Sequence, residues 1–307
     1  MDYNNPEDLL EAYENGLLGA ECDPEDVRKL LGELPMPMFG AAAYELEESG
    51  KGKLSLPFKS LLKFDPNFGP SERQTTGDCV SHAIRNAIDI TRAVEIDIKG
   101  ETEAFVNRSA TENIYQSRSH MGQGMSCSGG SRYVNSQGGV LLRKKYKDCD
   151  LSKYNSTLGA KKRIPKSIYI SEASKHPVET ISLISSIEEA RDAIANGYGL
   201  AGCSGIGFSS TRDKHGIAKR GKGWNHAMAW AACDDTGEVY DEMLFLIQNS
   251  WGPWNRGPKR HGQPDGSFWV REKDAKSILA ARGTFAYSSV KGFPAKQLPD
   301  YGLGGWS

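Results

Sequence analysis

The stretch Ile247-Gln248-Asn249-Ser250-Trp251-Gly252 closes an apolar run that begins at Met243. That run reads as a short buried strand, which delivers Asn249 and Trp251 at its end. A second strand-like segment, Asn225-His226-Ala227-Met228-Ala229-Trp230, precedes it. Asp234-Asp235-Thr236-Gly237 between the two predicts a hairpin turn, so His226 and Asn249 should sit on neighbouring strands. Far upstream, Gly77-Asp78-Cys79 opens a helical pattern in which Val80, Ala83, Ile84, Ala87 and Ile88 recur at three- and four-residue steps. A thiol at a helix N-terminus feels the positive end of the macrodipole, which favours thiolate. A cysteine, then a distant histidine, then an asparagine is the order required for thiol nucleophilic catalysis. The thiolate attacks, the imidazole carries the proton, and the amide side chain holds the imidazole.

These residues resemble the papain family of cysteine peptidases. Asn249-Ser250-Trp251-Gly252 is similar to the family's asparagine motif, and Asn225-His226-Ala227-Met228 to its histidine motif. Gly77-Asp78-Cys79 looks like the calpain-type form of the nucleophile motif. Cys127-Ser128-Gly129-Gly130 is similar to the Cys-x-Gly-Gly loop that lines the substrate cleft, and Leu56-Pro57 followed by Phe64-Asp65 to the start of the mature domain. The landmarks fall in family order over residues 56 to 293. Cys79 to His226 is 147 residues and Cys79 to Asn249 is 170.

The resemblance implies an α+β fold of two lobes, one helical (about 70–175) and one barrel-like antiparallel sheet (about 176–293), with a cleft between them. It implies Cys79 as nucleophile, His226 as proton carrier, Asn249 as its orienting partner and Gln74 as a side-chain donor to the oxyanion. His226 in its charged form is expected to hold Cys79 as thiolate. Trp251 is expected to shield the His226–Asn249 bond. Gly129 and Gly130 are expected to let a peptide backbone approach, with Asn225 and Ala227 beside it. Side-chain selectivity should come from a pocket near Ala227 and the strand around Gly202 and Cys203.

Charge is unevenly spread. Residues 1–48 carry thirteen Asp/Glu against Arg28 and Lys29, while the whole chain has a net charge of −1. An acidic arm on a basic body can fold back onto it or meet an assembly partner. Asn5-Pro6 and Asp23-Pro24-Glu25-Asp26 each begin a short helix. Ser49-Gly50-Lys51-Gly52-Lys53 reads as a linker. The expected organisation is therefore an arm or pro-like segment (1–53), a peptidase domain (54–293) and a tail (294–307).

Six cysteines occur: Cys22, Cys79, Cys127, Cys149, Cys203 and Cys233. Thr76 stands where many relatives have the disulfide partner of the Cys-x-Gly-Gly cysteine, so Cys127, Cys203 and Cys233 are expected to be free buried thiols in a reducing compartment. The acidic N-terminus lacks a basic-then-apolar leader. A cytoplasmic or particle-packaged protein is the resulting expectation. No apolar run is long enough for a membrane helix. Metal-ligand spacing, cofactor motifs and basic-aromatic clusters are absent, so metal, cofactor and nucleic acid are not expected. A polypeptide substrate is. The rival readings are hydrolysis of cell-wall peptide or isopeptide bonds by the same residues, and a catalytically weak scaffold within a larger assembly such as a virion.

Overall fold

The computed structural model describes residues 18–68, 72–99, 107–296 and 298–302. The expected first helix near Asn5 and the glycine-rich tail lie outside the described residues. The helices used below are α1 (Pro24–Glu33), α2 (Cys79–Lys99), α3 (Cys127–Ser136), α4 (Ile187–Ala195) and α5 (Glu272–Leu279). The strands are β1 (Ala20–Glu21), β2 (Leu54–Ser55), β3 (Met125–Ser126), β4 (Thr180–Leu183), β5 (Leu200–Ser204), β6 (His226–Asp234), β7 (Leu244–Gln248), β8 (Ser267–Arg271) and β9 (Thr284–Ser288).

Seven strands form one antiparallel sheet in the order β8-β7-β6-β5-β9-β4, with β2 beside β6. The sheet stays open; it does not close into a barrel. Side chains on a strand alternate between faces, and β6 shows why both faces are covered. Met228 and Trp230 point into a core with α4 and α5, while Ala227 points into a core with α2. The small residues of β6 on that second face let the 21-residue helix α2 lie close. Helix α2 buries Val80, Ala83, Ile84 and Ala87 against β5 and β9 residues such as Ala201, Cys203 and Phe285. The apolar period read from the sequence is therefore the stripe that seats the helix.

In the sequence, 227–232, 243–247 and 267–270 read as short strands between Gly and Asp turns; they coincide with β6, β7 and β8, except that Met243 lies just before β7. Residues 200–208 read as one strand, which the structure breaks into β5 and Phe208–Arg212, with Gly205 and Gly207 between them. Residues 102–118 read as a helix with Phe105, Ile114 and Tyr115 inward; among the described residues of that range only Glu112–Gln116 is helical.

The other side of α2 is held by buried charge rather than by apolar packing. Arg143 bonds Glu72 through Nε (2.6 Å) and Nη2 (2.9 Å) and also bonds Glu112. Arg85, on α2, bonds the same Glu72 at 2.8 Å. Further along α2, Asp89 receives Arg108 at 2.6 Å and Ser109 at 2.6 Å. These groups clamp the loop that carries Gln74 and Cys79 to the helical lobe. Removing one partner of such a cluster strands the others without solvent. Arg143→Met should lower unfolding free energy by about 3–5 kcal/mol in a denaturant titration. A loss below about 1 kcal/mol would mean that the cluster does not anchor this loop.

Candidate active site

Cys79 is the first residue of α2 and His226 the first of β6, while Asn249 follows the last residue of β7. The antiparallel pairing of β6 with β7 brings His226 and Asn249 together, as the hairpin reading requires. His226 Nε2 lies 2.8 Å from Asn249 Oδ1. The same oxygen accepts the Ser250 backbone N–H at 2.7 Å, which fixes it as the carbonyl oxygen of the amide. His226 Nε2 must then be the donor, so in the neutral ring Nδ1 is bare. Nδ1 is buried and has no hydrogen-bond partner among the described residues. An unpartnered ring nitrogen beside a donor-bound one is the atom that can take a proton.

Trp251 lies over the imidazole, with centroids 4.5 Å apart and planes tilted by 32°. Trp224 meets the ring edge-on at 5.7 Å, and Trp254 closes the cluster against both indoles. The His226–Asn249 bond is thus sealed from water, which strengthens it. The Cys79 thiol lies beside the backbone N–H of Ala227, the residue after the histidine.

Gln74 is 1 % exposed and tied to the same region. Its backbone N–H donates to Ser250 O at 2.9 Å, and its Oε1 accepts the Ser250 hydroxyl. Its Nε2 donates to Thr76 O at 3.0 Å. The residue one step after the asparagine therefore locks the loop that leads to the nucleophile.

No family model and no curated protein matches this chain by sequence. Solved structures do match. Xylellain, a cysteine protease from Xylella fastidiosa, aligns over 90% of this chain and 97% of its own, with a TM-score of 0.58 at 16% identity. A digestive procathepsin L 3 of Tenebrio molitor larval midgut aligns over 86% and 89%, with a TM-score of 0.47 at 13% identity. The chain has the papain-like cysteine peptidase fold.

Gly129 and Gly130 sit beside the Met125–Ser126 strand. They lie within α3, where a Cβ on Gly130 would strike Ile84 Cδ1 at 2.6 Å and Gly129 N–H is capped by Ser126. The smallness of Gly130 serves helix-to-helix packing. Gln123 and Gly124, to which the sequence reading assigned no role, lie against the loop before Cys79. Gln123 Oε1 accepts Gly77 N–H at 2.6 Å, and a Cβ on Gly77 would meet Gly124 N at 2.8 Å. The signal was present as Gly122-Gln123-Gly124, two glycines around a residue that can reach back to the nucleophile loop.

The cleft is occupied by the chain itself. Gly19 and Ala20 donate their N–H groups to Asn225 O at 3.0 and 3.1 Å. Met125 N–H donates to Gly19 O at 2.9 Å, and β1 pairs in parallel with β3. A Cβ on Gly19 would meet Gly77 O at 2.7 Å and Gly124 Cα at 3.0 Å, so three glycines set the slot's width. Asn225 and Met125 thus hold an extended backbone across the nucleophile. Leu18 and Ala20 are buried on either side of Gly19, in the clusters that contain Trp251 and Ala227 respectively. Helix α1 continues the docking: Asp26 receives Ser126, Ser128 and Arg132, and Arg132 also bonds Glu33. The linker-like Ser49–Lys53 is pinned as well, with Glu48 and Gly50 N–H on the Asp192 carboxylate and Gly52 N–H on Asp235.

The expectation of free thiols is corrected at two positions. Cys127 and Cys203 form a disulfide, with Cα atoms 6.0 Å apart. The sequence reading looked for a partner only before the nucleophile, whereas β5 runs beside the start of α3. Cys79 and Cys233 are free and buried, and Cys22 is free and exposed. No helix among the described residues is long and apolar enough to cross a membrane, and no group of His, Cys, Asp and Glu among them could hold a metal ion.

The covered site is uncharged, contrary to the thiolate–imidazolium expectation. Burial pushes the Cys79 thiol up to about 12, with Asp78 adding to the rise and the Ala227 N–H opposing it. Burial likewise pulls His226 down to about 4, although Asn249 favours its charged form. The reason is the same for both: each side chain is fully buried, so neither ionic form has solvent. In the intact chain, iodoacetamide should therefore meet a thiol on the order of 1000-fold poorer in thiolate at pH 7 than an ordinary cysteine, with labelling rising as pH climbs. Peptide mapping of alkylated Cys79 across pH 6 to 10 checks this. Fast labelling at neutral pH would show the site open and charged.

Proposed function

We propose that the chain is a cysteine endopeptidase, with residues 18–34 acting as a pro-like arm that holds it latent. The observation that carries the catalytic part is the sealed His226–Asn249 pair with its bare Nδ1, set in a site whose sulfur is Cys79. The arm's passage between Gly77, Gly124 and Asn225 carries the latent part.

Once the arm leaves, water and substrate dipoles reach the site, and the proton on Cys79 can pass to His226. The thiolate attacks the peptide carbonyl. The oxyanion takes the Cys79 N–H at the start of α2 and the side-chain amide of Gln74. His226 gives its proton to the leaving amine, producing an acyl-thioester. Water, deprotonated by His226, then attacks that ester, releasing the acid and restoring the thiol. Asn249 keeps the ring in place throughout.

A second reading, a scaffold whose cleft is kept shut within an assembly, draws on the same self-occupied groove. One variant separates them. A Cβ at position 19 meets backbone, not a movable side-chain end, so Gly19→Val should expel residues 18–21 from the slot. In the full chain it should raise labelling of Cys79 by an epoxysuccinyl probe and peptide turnover at least about 100-fold, since an open pair is reactive where a buried one is not. Cys79→Ala in that background should abolish both. Exposure of the cleft to proteolysis or solvent exchange without any labelling would favour the scaffold.

A further inference from the structure

The segment lying in the cleft also measures the side-chain site beside the nucleophile. Ala20 follows Gly19 and is 4 % exposed. Its N–H is on Asn225 O, its register partner is Met125, and β1 also lies against β5. Two walls therefore meet around it. One is β3 running into α3, which begins at Cys127. The other is β5 beside β6, where Cys203 is the register partner of Ala227. Ala20, Cys79, Met125, Cys127, Cys203 and Ala227 belong to one buried apolar cluster. The Cys127–Cys203 bond ties the two walls together at 6.0 Å between Cα atoms.

The geometry points to the Cys127–Cys203 disulfide as the element that limits this site to small side chains such as Ala, Gly or Ser in a peptide substrate. The inference rests on the peptidase reading above and names its selectivity. Two packed elements can normally slide apart to admit a larger side chain, at a cost spread over many contacts. A covalent tie across the mouth removes that freedom, because its span is fixed. A leucine would then have to displace Met125, whose strand runs into the tied helix α3, or Ala227, which is held by its pairing with Cys203.

The test uses the full chain carrying Gly19→Val and a positional-scanning peptide library. With the disulfide intact, one substrate position should favour Ala over Leu by about 10–100-fold in kcat/KM, the range that a few methylenes give in a tight pocket. Cys127→Ala with Cys203→Ala in the same background should cut that ratio at least about tenfold. Met125→Ala, which widens the other side without touching the disulfide, should also lower it. Cleavage with Leu or Phe accepted as readily as Ala at every position, disulfide intact, overturns the inference and leaves the peptidase standing. Neither labelling of Cys79 nor cleavage of any peptide overturns both.

Discussion

The placement of α2 against the sheet is the constraint on which everything else depends. Its apolar stripe sets the helix on β5, β6 and β9, and its first residue is the nucleophile. The position of Cys79 is therefore decided by some twenty residues of packing that have no chemical role. The glycines and alanines of β5 and β6 matter for the same reason: larger side chains there would lift the helix off the strands that carry His226. The buried Arg–Glu cluster is the counterpart on the far side, since it ties the loop before Cys79 to the helical lobe where no apolar contact could. Buried ions of this kind add little net stability over apolar packing, but they tolerate only one arrangement.

Such packing is legible in a sequence when it repeats. The stripe Val80–Ile88 follows one helical period, and the apolar runs at 227–232 and 243–247 coincide with β6 and β7 apart from Met243. The strands β4 and β9 lack that clarity. Thr180–Leu183 is four residues long, and Thr284-Phe285-Ala286-Tyr287-Ser288 mixes polar and apolar groups, all buried. Short strands covered on both faces do not alternate, and with polar residues among them their pattern resembles a loop. The packing of Gln123 and Gly124 is hidden for a different reason. Gly129-Gly130 and Gly122-Gln123-Gly124 are both glycine-rich, and only the helix that begins at Cys127 distinguishes them. What a glycine leaves room for is a property of the neighbour, and the neighbour is distant in sequence.

The protonation of the site shows how burial changes the chemistry. Helix dipole and a nearby imidazole both favour thiolate at Cys79. Burial of both side chains opposes them. The sequence carried the favourable terms openly, because they come from local context. The unfavourable term depends on how deeply the folded chain covers the pair, which no local pattern gives. Part of the arm's charge meets the body: Asp26 and Glu33 bond Arg132, while Glu21 faces His120 at 3.2 Å.

The two walls of the groove are joined covalently, and this bears on how the arm could leave. A pro-like segment is commonly released when a cleft widens enough to free its tightest point. Here the tightest point is the glycine slot at Gly19, Gly77 and Gly124, whereas the Cys127–Cys203 tie holds the walls one residue further along. Widening at the tie is excluded while the bond is intact. On the proposed function, the route this tie leaves for release is peeling, from the α1 contacts at Arg132 or from the Leu18 end, rather than opening of the lobes. Peeling would leave the side-chain site at its closed width, so a substrate entering afterwards would meet the same dimensions that Ala20 does. On this view the arm reports the shape of the working cleft, and its small residues, Gly19 and Ala20, are small because the groove is.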